Sequence, residues 1–141
     1  MEASTLIDLI HRVNQRALEQ FTERHGKDVT PRQIAILRAL AGSPGASQTA
    51  LVNVTGIDRS TTAEIIKRLL ARGLIKRRRA RGDARAYVVN LTPEGEQVLA
   101  AAEPAIAAVE KALLDELPEE DRDGFVSSLH RLSTAQVSRL S

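Results

Sequence analysis

Only Ile57 and Asp58 separate Gly56, which stops one short helix, from Arg59-Ser60-Thr61 at the start of the next. Ser47 is placed to cap the first of these helices, which carries Leu51 and Val54. Asp58 is the natural cap of the second, whose inner side reads Thr62, Ile65, Ile66 and Leu69 before Arg72-Gly73 ends it. Hydroxyl and carboxylate oxygens at such positions accept backbone amides that a helix start leaves unpaired. Two short helices joined by a tight turn containing glycine form a helix-turn-helix candidate, and the other elements must fit around it.

Upstream, Thr5-Leu6-Ile7-Asp8 has capping-box spacing, and Leu6, Ile10, Val13, Ala17 and Phe21 recur at the period of a helix with one buried face. Gly26 ends that helix. Thr30-Pro31-Arg32-Gln33 opens a second, with Ile34, Leu37 and Leu40 as its stripe, and Gly42-Ser43-Pro44-Gly45 breaks it. After Gly73 the period changes. Leu74-Ile75 and Ala86-Tyr87-Val88-Val89-Asn90-Leu91 read as strands, with turn chemistry at Arg81-Gly82-Asp83 between them. Thr92-Pro93-Glu94 then opens a long helix through Val98, Ala102, Ile106, Val109 and Leu113. Leu117-Pro118-Glu119-Glu120 starts a last one carrying Phe125, Leu129 and Leu132. The fold class is mainly α with a small β-hairpin.

The aromatic residues are Phe21, Tyr87 and Phe125, so Leu, Ile, Val and Ala must fill the core of this 141-residue chain. At 43% apolar and 27% charged residues it has the composition of a folded domain. Uncharged apolar stretches such as Val98 to Ala102 are far short of the roughly 20 residues of a membrane span. Met-Glu-Ala-Ser-Thr has no features of a secretory signal, so a cytoplasmic protein without membrane association is expected. The absence of cysteine excludes disulfides, Cys-ligated metal and thiol chemistry. Three scattered histidines, His11, His25 and His130, lack the spacing of a metal site, and neither a metal nor a cofactor is expected.

A formal net charge of +2 conceals a strong asymmetry. From Arg59 to Arg85 ten basic residues face only Glu64 and Asp83, whereas from Glu94 to Asp123 ten acidic residues face only Lys111 and Arg122. A basic block within a folded chain suits a polyanion; it would equally suit a solvated face paired with the acidic helices of the same chain. Position argues for the polyanion. A helix that reads DNA exposes polar residues at its amino end, and Arg59, Ser60 and Thr61 lead this one, with Glu64, Lys67 and Arg68 following on faces that Ile66 and Leu69 do not bury. Glu64 is repelled by phosphate, so it either accepts from cytosine or pairs with Lys67 or Arg68, the latter being favoured. The hairpin tip, with Arg79, Arg81, Asp83 and Arg85, is thin and basic, as a narrow minor groove requires. A solvated turn with a local ion pair is the plainer alternative there.

These residues resemble the MarR family of winged helix-turn-helix transcription regulators over nearly the whole chain. The resemblance is carried by Thr30-Pro31-Arg32-Gln33 with Leu37, Asp58-Arg59-Ser60-Thr61-Thr62, Leu69 with Arg72-Gly73-Leu74-Ile75, and Asp83-Ala84-Arg85 followed by Leu91-Thr92-Pro93-Glu94-Gly95. It implies a homodimer with intertwined first and last helices, Arg85 entering the minor groove with Asp83 positioning it, and a small-molecule pocket between the dimer arms and the DNA-binding lobe. Residues 30–92 would form that lobe, and 1–26 with 93–141 the dimerisation region. The chain departs from the family's thiol-switched sensors in lacking cysteine, and from its urate-type pockets in lacking tryptophan.

The apolar stripes of the terminal helices are longer than a chain this size readily covers, which favours a two-fold dimer over a monomer with a helical cap. Two recognition helices about 34 Å apart would read a pseudo-palindromic duplex. His11 and Asn14 share a stripe with Ile7 and Leu18 and are candidates to line an effector pocket, although local satisfaction at an interface is the commoner fate of such residues. The expected function is a homodimeric repressor released by an aromatic or amphipathic acid. The alternatives are a winged-helix module binding an acidic protein partner and, third, an enzyme; no nucleophile triad, phosphate-cradling loop or carboxylate pair supports the last.

Overall fold

Each of the first five helices starts at a side-chain oxygen that accepts the backbone amide three residues on: Thr5, Thr30, Ser47, Asp58 and Thr92. The computed structural model describes residues 4–134, and within them all side chains except those of Ala84 and Arg85. The order is α1 (Leu6–His25), α2 (Pro31–Gly42), α3 (Gln48–Thr55), α4 (Arg59–Ala71), β1 (Ile75–Ala80), β2 (Asp83–Leu91), α5 (Pro93–Leu114) and α6 (Glu119–Thr134). The reciprocal capping boxes expected at Thr5 with Asp8 and at Thr30 with Gln33 are both formed.

The core is centred on α2, which packs against α3, α5 and β2. Being covered on several sides, α2 buries Ile36 as well as the expected Ile34, Leu37 and Leu40. Phe21 from α1, Leu51 from α3, Leu69 from α4 and Ala102 from α5 complete the centre. Thr62 is fully buried on the inner side of α4, where its hydroxyl donates to the Ile57 carbonyl at 3.2 Å and so satisfies the turn between α3 and α4. Gly56 closes α3 with φ 72, a left-handed conformation open to glycine at little cost. Val54, paired with Leu51 in the sequence reading, points outward and is 66% exposed: α3 is only 8 residues long and α4 covers one side of it.

The hairpin is longer than the apolar pattern suggests. Strands were expected at Leu74-Ile75 and Ala86–Leu91 with a turn through Asp83, but β1 continues to Ala80 and Asp83 begins β2, leaving Arg81-Gly82 as the turn. The arginines carry no alternation to read. Their backbone is held by the antiparallel ladder, in register from Ile75 opposite Leu91 to Arg79 opposite Tyr87 and irregular beyond, while their side chains stay in water. Ala46, in the loop before α3, adds a bridge to the ribbon: the Val89 amide donates to its carbonyl at 2.9 Å.

The start of α5 is seated on the base of the ribbon. Thr92 donates from its hydroxyl to the Gly73 carbonyl at 2.6 Å and from its amide to the Leu74 carbonyl at 3.1 Å. Gly95 is buried there, and a Cβ on it would overlap the Leu74 carbonyl oxygen. Neither partner is the free end of a side chain, so the helix and the ribbon would have to separate. Gly95→Ala is therefore expected to cost about 1–3 kcal/mol of stability, read as a lower urea midpoint.

The terminal helices bury little of their own apolar surface. Phe21 is the buried residue of α1 and α6 has none, whereas Leu6, Ile7, Ile10, Val13, Phe125, Val126, Leu129 and Leu132 are exposed. Among the described residues, no helix is long and apolar enough to cross a membrane.

Candidate nucleic-acid interface

The amino end of α4 projects from the core because its first turn carries no apolar residue, while Thr62, Ile65 and Leu69 hold the opposite face down. Asp58 organises this end. Its Oδ2 accepts from the Thr61 amide at 2.9 Å and from the Ser60 hydroxyl at 3.0 Å. Hydrogen bonds from Thr61, then Ser60, hold the Asp58 carboxyl at about 2 against an ordinary 3.8. The hydroxyl hydrogen of Ser60 is thereby engaged inside the protein, and what Ser60 offers outward is oxygen lone pairs. Arg59 is exposed; its guanidinium donates to the Thr49 hydroxyl at 3.4 Å, and Gln48 donates to its carbonyl at 3.4 Å. The two helices of the motif are thus linked at the outer surface as well as in the core.

Further along α4, Arg68 donates to Glu64 at 3.2 Å, so Glu64 takes the intrahelical pairing favoured in the sequence reading. Lys67 is exposed beside them, and Thr61 is partly buried at the first turn. On the ribbon Arg79, Arg81 and Asp83 are exposed. Arg85 lies in β2, but its side chain is outside the described residues. Lys76, Arg77 and Arg78, on the shaft of β1, are also exposed; they belong to the basic block but lie below the hairpin tip. Tyr87 shares a face of the ribbon with Arg77 and Arg79, whose guanidiniums lie 5.0 Å and 5.6 Å from its ring centre.

A cleft of about 1020 Å³ opens between α1, α2 and α4. Asn14 and Leu18 line it from α1, Arg32 from α2, and Ser60, Glu64 and Arg68 from α4. His11, one turn before Asn14, is exposed and outside the lining. His25 is the last residue of α1 and packs its ring against Phe21, with centroids 5.2 Å apart, and His130 is exposed on α6. Among the described residues no group of three or more metal-ligating side chains comes together.

The Asp58 carboxylate is favoured in the folded chain, so its contribution is complete above pH 3.8 and is lost as pH falls through about 2. An asparagine caps without titrating in this range. The melting temperature of the native chain is expected to fall more between pH 4 and pH 2 than that of Asp58→Asn.

Residues 27–86 match the sequence profile of the MarR family. The transcriptional regulator HosA of Escherichia coli O157:H7 is 37% identical over 105 residues, covering 74% of this chain and 78% of HosA. The fold superimposes on Bordetella bronchiseptica BpsR, whose DNA binding is regulated by 6-hydroxynicotinic acid, with a TM-score of 0.88 and 26% identity over 96% of this chain and 98% of that one. It also superimposes on the transcriptional repressor CouR bound to a 23-mer DNA duplex, with a TM-score of 0.81 and 28% identity over 94% and 99% of the two chains. With six helices and one antiparallel hairpin among its described residues, the chain belongs to the MarR family of winged-helix transcription regulators.

Proposed function

We propose that the chain is a homodimeric repressor that binds a pseudo-palindromic DNA duplex and is released by a small aromatic or amphipathic acid. The observation that carries the reading is the exposure, on one core, of both the α4 start and a basic ribbon. Arg59, Ser60 and Thr61 are assigned to the major groove, with Lys67 and Arg68 near phosphates. Arg79, Arg81 and Arg85 are assigned to the minor groove, with Asp83 positioning Arg85. Because Ser60 presents lone pairs, it matches the exocyclic amino groups of adenine or cytosine better than a phosphate. Residues 30–92 form the DNA-binding lobe in this reading, and the protein acts in the cytoplasm.

Residues 1–26 and 93–141 are assigned to the dimer. The reason is the uncovered apolar surface of α1 and α6: a partner related by a two-fold axis would cover both helices at once and set the separation of the two α4 starts. The cleft between α1, α2 and α4 is assigned to the effector. Arg32 suits a carboxylate and Leu18 and Ile65 an apolar ring, and BpsR supplies a precedent for a hydroxylated aromatic acid. A ligand that binds best at a lobe separation unsuited to DNA lowers DNA affinity by shifting the population.

Three measurements test the reading. In sedimentation the chain should run as a dimer and Leu129→Asp as a monomer with lost duplex binding. Fluorescence anisotropy on a duplex enriched from random sequence should show affinity falling steeply with salt, and Arg85→Ala weakening it about tenfold. A thermal-shift series of small aromatic acids, 6-hydroxynicotinic acid among them, should raise the melting temperature and weaken duplex binding together. A monomeric native chain, or a chain that enriches no sequence, would overturn the reading.

A further inference from the structure

The face of the ribbon that starts in the core continues beyond it as a cationic stack. Alternation along β1 and β2 places Ile75 and Val89 on one face, both buried, and carries that face outward to Arg77, Arg79 and Tyr87. Arg79 lies directly opposite Tyr87, and Arg77 is its diagonal neighbour, opposite Val89. Both guanidiniums approach the ring, at 5.0 and 5.6 Å from its centre, although Tyr87 is 44% exposed and water would solvate them as well. Among the described residues, Arg77 has no carboxylate or carbonyl partner.

A guanidinium lying against an aromatic face keeps its N–H donors, which point outward in its own plane. The ring holds the Arg77 guanidinium close, with its centre 5.0 Å away, without accepting from its N–H groups, which leaves them for a tetrahedral oxyanion. We propose that Arg77 grips a backbone phosphate of the bound duplex from the shaft of the ribbon, beyond the contacts assigned to its tip, and that Tyr87 is its positioning residue. Arg77 lies two residues closer to the core than Arg79, at a part of the ribbon anchored through Val89 to Ala46, so the guanidinium is held by a braced segment. The contact is to phosphate and carries no sequence information: it adds affinity equally on all duplexes.

The proposal rests on the DNA-binding reading, and one experiment separates the two. A duplex enriched by the native chain and an unrelated duplex of equal length are titrated across a salt series with the native chain, Arg77→Ala, Tyr87→Phe and Tyr87→Leu. Arg77→Ala should weaken both duplexes by the same factor, about tenfold, and reduce the salt slope by about 0.9 for each subunit bound. Tyr87→Phe, which keeps the ring face, should match the native chain. Tyr87→Leu should weaken both duplexes about two- to fivefold. Arg77 is exposed, so its alanine variant tests the contact even where Tyr87→Leu disturbs the hairpin. A native salt slope in Arg77→Ala, or a Tyr87→Phe as weak as Tyr87→Leu, overturns the proposal while DNA binding stands. A native chain that binds neither duplex overturns both.

Discussion

Four elements meet at the Gly73-Leu74 peptide, and their relative directions depend on it. The Gly73 and Leu74 amides donate back to the Leu70 and Leu69 carbonyls, closing α4, while their own carbonyls accept from Thr92 as α5 begins. The Thr92 hydroxyl also accepts from the Gly95 amide, so one side chain ends β2, caps α5 and fastens both to the end of α4. Gly95 has no side chain because that approach leaves no space for one. The ribbon and the α4 start are therefore held in one rigid relation, while α5 runs from the same junction toward the terminal helices.

Charge is partitioned by the same architecture. Acidic residues of the carboxyl half find cations outside the basic block: Glu116 pairs with Arg16, Glu103 with Arg38, and Asp115 with Lys111 and Arg122. The Arg16–Glu116 pair is two-pronged, at 2.9 and 2.7 Å, and links α1 to the turn after α5; it holds the Glu116 carboxyl below its ordinary range and raises the Arg16 guanidinium. The alternative in which the acidic helices neutralise the basic segment is not the arrangement these pairs make. Positive charge on α4 and the ribbon instead faces solvent beside polar residues of the α4 start, a distribution that attracts a polyanion and leaves it accessible.

Much of the architecture was legible residue by residue. Starts at Thr5, Thr30, Ser47, Asp58 and Thr92 depend on contacts three residues apart, so a short window of sequence contains the whole interaction. The inner face of α4 and the pairing of Glu64 within its own helix were readable for the same reason, although Arg68 and not Lys67 proved to be the partner: both are properties of one helix. The reach of the hairpin was not, because a run of Lys and Arg has no hydrophobic alternation and its extended form is imposed by the strand opposite. Ile36 and Val54 exchanged their expected standing for a related cause, since burial is decided by what surrounds a helix and not by its own stripe. The stack of Arg77 on Tyr87 joins positions ten residues apart that only the register brings together.

What the sequence determined by itself is local: where each helix begins and stops, that a ribbon follows α4, and that its charge is basic. Those features rest on hydrogen bonds and periodicities spanning a few residues, and they were enough to point to the family. Tertiary structure alone decided that Leu74 and Gly95 touch, that Ala46 braces the ribbon, that Asn14 reaches the cleft while His11 does not, and that α1 and α6 keep apolar faces that the rest of their own chain does not cover. Such contacts join residues far apart in the chain, and their geometry is set by how whole elements pack, a property that no short stretch of residues contains.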